Sequence, residues 1–157
     1  MITVFFDGSS SPHKKNYAAA AVCVYRDTTC LDQSIYSLPP KSTNNEAEFI
    51  GLIQALKFIE YNHFSPRTTY RIMGDSKLAI DTCNYIIKPK KPTLQKLSRY
   101  IFSARTKLSD KEYTVGWVPR KFNKAGILLE KHRRGTKFPT VTASVEDDVC
   151  VDDYCDD

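Results

Sequence analysis

Three apolar segments open the chain, and each has the length and β-branched or aromatic content of a strand. Residues 2–7 (Ile-Thr-Val-Phe-Phe-Asp) read as a buried strand. Residues 17–25 read as a second, whose run of alanines implies close packing. After the turn Arg26-Asp27-Thr28-Thr29, residues 30–38 read as a third, ended by Pro39-Pro40. The pattern predicts an antiparallel meander, with a polar loop over residues 9–16.

The period then changes from two to 3.6. Thr43 and Glu46 form a T-x-x-E capping box, and Phe49, Leu52, Ile53, Leu56 and Ile59 follow at helical spacing. Ser65-Pro66-Arg67 breaks this helix, and residues 69–74 read as a fourth strand. Helices are predicted over 76–87 and 94–108, separated by Lys88-Pro89-Lys90-Lys91-Pro92. A fifth strand is predicted over 112–118 and a short last helix over 125–133. The expected fold is α/β: a mixed sheet with helices on its faces. Residues 1–138 make one domain, and 139–157 read as a disordered acidic tail.

Charge sharpens that division. The net charge is +5, but residues 141–157 hold seven acids and neither Lys nor Arg. Without them, 23 basic side chains face 11 acids, a charge of +12, which points to a polyanionic partner. A solvated, lysine-rich surface has the same composition. The five cysteines match no zinc spacing, and reduced thiols in a cytoplasmic-type compartment, the nucleus included, are expected. The longest apolar run, residues 18–25, is too short to span a bilayer. No signal peptide is read at the N-terminus.

Candidate chemistry lies in three carboxylates: Asp7 at a strand end before Gly8, Glu48 near a helix start, and Asp75 at a strand end before Ser76. Singly, each has an ordinary explanation as a turn residue, a helix-dipole partner or an N-cap. Together they could hold hard divalent cations, which prefer oxygen ligands, against a phosphodiester.

Asp7-Gly8-Ser9, Thr43-Asn44-Asn45-Glu46-Ala47-Glu48, Gly74-Asp75-Ser76 and Trp117-Val118-Pro119-Arg120 with Asn123-Lys124 occur in this order. Together they resemble type 1 ribonuclease H over about residues 2–133. The resemblance implies an RNase H-like fold with a five-stranded mixed sheet, strands 4 and 5 running parallel to strand 1. It implies endonucleolytic cleavage of the RNA strand of RNA/DNA hybrids by in-line attack of water, leaving 5′-phosphate and 3′-hydroxyl ends. Mg²⁺ is the implied cofactor, with Mn²⁺ as substitute and two ions beside the bound substrate. Asp7, Glu48 and Asp75 are the implied catalytic residues and metal ligands. Gly8, Ser9, Asn16, Thr43, Asn44, Asn45, Ser76, Arg120 and Lys124 are the implied nucleic-acid contacts. Lys88, Lys90, Lys91, Lys121, Lys131, Arg133, Arg134 and Lys137 add candidate phosphate contacts. A monomer is expected, and double-stranded RNA is the other duplex the reading admits.

One motif departs from the family. Its last element usually reads Asn-x-x-Ala-Asp, the Asp being a fourth metal ligand. Here Asn123-Lys124-Ala125-Gly126-Ile127 puts Ile127 in that place, or Gly126 if one residue is deleted. Glu130, one helical turn past Ile127, is the candidate substitute ligand. Slower cleavage or a preference for Mn²⁺ is expected. A relative that binds hybrid or double-stranded RNA without cutting it is the competing reading. The acidic tail could also fold back on the basic groove as a nucleic-acid mimic.

Overall fold

A computed structural model describes residues 1–11 and 17–143. Strands β1 (Ile2–Ser11), β2 (Tyr17–Arg26) and β3 (Thr29–Ser37) form the expected antiparallel meander. Helix α1 (Asn44–Tyr61) leads to β4 (Thr69–Gly74), then α2 (Lys77–Cys83) and α3 (Pro92–Thr106). Strand β5 (Glu112–Trp117), a single 3₁₀ turn (Arg120–Phe122), α4 (Lys124–Arg133) and β6 (Thr140–Thr142) complete the fold. Strand order is β5-β4-β1-β2-β3-β6. β4 lies parallel to β1, and β5 parallel to β4, as expected.

The sheet thus has six strands among the described residues, not five. Residues 140–142, expected in the tail, pair in parallel with β3 at Ile35–Ser37. β3 would otherwise be an open edge, and the β-branched run Thr140-Val141-Thr142 suits that place. Ala143 also donates to the Ser37 carbonyl at 3.2 Å. The folded body therefore runs past residue 138; residues 144–157 and Asn16 lie outside the described residues. β1 likewise continues beyond Asp7 to Ser11, because β2 pairs with it over that whole length.

Helix α2 stops at Cys83, short of the expected residue 87. Tyr85 takes a left-handed conformation (φ 64°), and the Ile86 amide reaches back to the Asp81 carbonyl at 2.8 Å. A bulky residue is rare at such a helix-ending position. Here its ring is held by stacking on Phe102 at 4.9 Å, with the Arg105 guanidinium 5.3 Å from its centre.

Each sheet face has its own core. Ile2, Val4 and Phe6 face α1 and α3 with Phe49, Leu52, Leu56 and Ile101. Ala19, Ala21, Cys23 and Ile35 face α4 through Ala125, Leu128 and Leu129. The small side chains of β2 let α4 lie close to the sheet. No described helix is long and apolar enough to cross a membrane.

Candidate active site

Backbone proximity, made possible by glycine, sets the site. A Cβ at Gly8 would lie 2.1 Å from the Ala47 carbonyl carbon and 2.3 Å from the Glu48 nitrogen. One at Gly51 would meet the Asp7 carbonyl oxygen at 2.7 Å. Helix α1 therefore rests on β1 at Gly8 and Gly51, which brings Glu48 over Asp7. On the other side, β4 pairs with β1, and a Cβ at Gly74 would strike the Phe6 ring at 2.4 Å. Asp75 follows at the carboxyl end of β4, level with the end that carries Asp7.

The three carboxylates converge: one oxygen from each of Asp7, Glu48 and Asp75 lies within 4.8 Å of the others. Asp7 is buried, at 8% exposure. Burial, then the negative charge of Asp75 and that of Glu48, pushes its carboxyl up to about 8, against a hydrogen bond from the Gly8 amide. Burial also raises Glu48; a Ser76 hydrogen bond opposes this and the Asp75 charge reinforces it. Buried like charges at this spacing favour a cation. Two oxygens on one Mg²⁺ at about 2.1 Å can be at most about 4.2 Å apart, so small rotamer changes bring this donor set to ligand geometry. The residues present fit a hard divalent ion.

A frame of polar side chains orients the acids. Asn123, fully buried, donates from Nδ2 to the Phe6 carbonyl at 3.0 Å and to Asp75 Oδ1 at 3.3 Å. Its Oδ1 accepts from the Ala125 amide at 3.1 Å and caps α4. One side chain thus ties α4, β1 and Asp75 together. Its motif was visible in the sequence, but its only local signal was that of an N-cap. Arg120, highly exposed, brings Nε to 3.9 Å from Asp75 Oδ2 at the rim.

The remaining expected contacts divide. Ser9 lines a cavity with Asp7. Thr43 and Glu46 form the capping box as anticipated, with Thr43 exposed at the helix entry. Asn44 accepts from the Ser10 amide at 3.0 Å, which binds the helix start to the end of β1; Asn45 is exposed beside it. Ser76 is buried; its hydroxyl caps α2 through the Ala79 amide at 3.2 Å and serves Glu48. Lys124 turns elsewhere: its Nζ lies 5.7 Å from the centre of the Tyr25 ring, and Tyr25 pairs with Thr3, four residues before Asp7.

Glu130 does not join the carboxylates. Its oxygens are taken by Arg133 and, at 2.8 Å, by Arg134, partners one turn further along the same helix. α4 faces Asp7 through Gly126 instead, where a Cβ would lie 3.0 Å from Asp7 Oδ2; Ile127 is exposed on the same cavity.

With this geometry in place, similarity to known proteins decides the family. The sequence matches the RNase H family profile over residues 1–120. The chain belongs to the RNase H family. The matched stretch contains all three acids and ends before Asn123, Gly126 and Ile127. No curated protein matches. Among solved structures, the N-terminal RNase H domain of a Mycobacterium tuberculosis protein, fused to maltose-binding protein, is 27% identical. It superposes with a TM-score of 0.65, covering 82% of this chain and 94% of that one. RNase H1 from the halophilic archaeon Halobacterium salinarum is 21% identical, with a TM-score of 0.68 and coverage of 86% and 98%. LC11-RNase H1, solved in complex with an RNA/DNA hybrid, is 21% identical, with a TM-score of 0.63 and coverage of 79% and 89%. These structures share the RNase H fold with the present chain.

Proposed function

We propose that this RNase H family member hydrolyses the RNA strand of RNA/DNA hybrids, leaving 5′-phosphate and 3′-hydroxyl ends. The convergence of Asp7, Glu48 and Asp75 within 4.8 Å, in a chain of this family, carries the reading. The hybrid complex of LC11-RNase H1 supports the choice of duplex. Bound divalent ions, Mg²⁺ or Mn²⁺, would supply charge neutralisation at the scissile phosphate and a water of lowered pKa.

The chain's own groups do the rest. Asp7, Glu48 and Asp75 would hold the ions, whose charge would offset the burial and mutual repulsion that raise Asp7 and Glu48. The Gly8 amide, the Ser76 hydroxyl and Asn123 fix one carboxylate each. Arg120 at the rim receives phosphate oxygens, for which a guanidinium fork is suited. Asn44, its oxygen engaged by Ser10, keeps its NH₂ donors for acceptors in the shallow minor groove of the hybrid, with Asn45 and Thr43 alongside. The free thiols of Cys23, Cys30 and Cys83 accord with the proposed reducing, cytoplasmic-type compartment.

The test compares RNA/DNA hybrid, double-stranded RNA, double-stranded DNA and single-stranded RNA under one Mg²⁺ condition. Hybrid alone should be cut, and Asp75→Asn should not cut it. A second reading, binding without cleavage, is favoured by one observation: α4 offers Gly126 and Ile127 to the site instead of a carboxylate. Hybrid binding with no metal-dependent product would establish it.

A further inference from the structure

A cavity of about 540 Å³ opens beside Asp7 and Ser9, and its other wall is basic. Lys131, Arg133 and Arg134 of the α4 side line it together with Gly126 and Ile127, and Arg120 joins them at the rim beside Asp75. Four cations meet a single anion in that wall, Glu130, which occupies both Arg133 and Arg134. Ion pairs at this level of exposure contribute little to stability, so the pairing is easily exchanged. A phosphodiester offers the same oxygen pattern as a carboxylate and suits the same guanidinium forks.

We infer that this cavity is a phosphate subsite for the nucleic-acid strand entering the carboxylate cluster, and that Glu130 is a placeholder displaced by that phosphate. The inference deepens the hybrid reading and rests on it. Gly126 and Ile127 stand where the family's pattern would place a fourth carboxylate, and cations further along α4 grip the strand next to the reacting phosphate. Grip from this side offsets the weaker hold of three ligands. Glu130 keeps the two arginines together when no strand is bound, and its own charge opposes the strand's approach.

Binding of a labelled hybrid by the full chain, without metal and across a salt series, tests the idea. Glu130→Gln is expected to tighten binding by roughly threefold at low salt, because it frees two guanidiniums and removes a repelling charge. The Arg133→Ala/Arg134→Ala double variant should weaken binding by roughly tenfold and flatten the log K against log salt slope by about 1–2, the loss of one or two phosphate contacts. Arg67→Ala, an exposed cation at the opposite end of the sheet, should leave the slope unchanged. A Glu130→Gln protein that binds more weakly than wild type, or equally, overturns the inference; weaker binding is what loss of a merely structural ion pair would give. If wild type binds and cuts hybrid while the variants behave like it, this inference alone falls. If wild type binds no duplex, the hybrid reading falls with it.

Discussion

Two walls meet at Asp7, and they follow different rules. The wall of β1, α1 and β4 is set by backbone against backbone at Gly8 and Gly51 and by the Phe6 ring against Gly74, and it brings the three acids together. The wall of α4 packs on β2 through Ala125, Leu128 and Leu129, is tied to the acids through the side chain of Asn123, and is lined with a glycine, an exposed isoleucine and arginines. Only the first lies within the stretch that matches the family profile. The contrast separates what the fold imposes from what the chain can vary. A carboxylate on β1 or β4 is held by the sheet register itself, whereas the residue α4 offers depends on helix phase and can change without disturbing the core.

The largest effect should come from the rigid wall. Asp75→Asn keeps the shape and its bond from Asn123 but removes a charge from the cluster, and hybrid cleavage in Mg²⁺ should fall by roughly 10³-fold or more, about 4 kcal/mol in the barrier. Retention of most of the activity would mean that the cluster is not where the chemistry occurs. Next, Gly8→Ala should destabilise the fold by about 3 kcal/mol, since its methyl group must push α1 off β1. Urea denaturation followed by circular dichroism measures this directly. A change below about 1 kcal/mol would show that α1 yields easily, contrary to the rigidity claimed for this wall.

Asn123 joins the two walls, and two substitutions separate its tasks. Asn123→Ala loses the cap of α4 and the bond to the Phe6 carbonyl, for a loss of about 2 kcal/mol. Asn123→Asp can keep the cap through a carboxylate oxygen, yet it places a fourth negative charge beside Asp75 and withdraws its donor. Cleavage should fall more than stability accounts for, measured as kcat at a temperature where both proteins are folded. If the two variants lose activity in proportion to stability, Asn123 acts only on the fold.

The difference between the walls also marks what a sequence shows. Asp7, Glu48 and Asp75 were legible because each sits at a periodic boundary, a strand end or helix start, and parallel strands bring such ends to one side of a sheet. The Thr43–Glu46 box was legible because it is local. The end of α2 was not: Tyr85 adopts a glycine-like conformation only because Phe102 and Arg105, from another helix, hold its ring. β6 was hidden because three residues gain a partner only when β3 exposes an edge. The choice between Gly126 and Ile127 needed the phase of α4, which the Asn123 cap sets. Glu130 carried two local readings, a substitute ligand or an ordinary helix residue, and the arginines three and four residues on are the partners it takes.

Electrostatic strain within the rigid wall gives a smaller effect. Asp7 titrates near 8 in the fold and near about 3.9 when unfolded, so its burial is neutral below pH ~4 and increasingly destabilising as pH rises toward 8. Without metal, the Tm of wild type should therefore fall relative to Asp7→Asn between pH 5 and 8, by about 4 °C if ~1–2 kcal/mol is realised. Mg²⁺ should close the gap at pH 8 and do little at pH 5. A gap independent of pH, or untouched by Mg²⁺, would mean that the carboxylates do not strain one another as placed.

The smallest effect tests the variable wall. Ile127 is exposed on the cavity beside Asp7, so Ile127→Asp adds a carboxylate there without opening a hole in the core. If three ligands hold the ions weakly, the variant should cleave hybrid faster in Mg²⁺ by roughly fivefold, about 1 kcal/mol of barrier, and any Mn²⁺ advantage should shrink. Gly126→Asp is the less suitable choice, because its Cβ already lies 3.0 Å from Asp7 Oδ2 and would crowd the carboxylate it is meant to assist. Unchanged rate and metal preference in Ile127→Asp would show that α4 has no part in holding the ions. The cations of that wall would then be its whole contribution, and strand grip, not metal affinity, would be what this side of the site supplies.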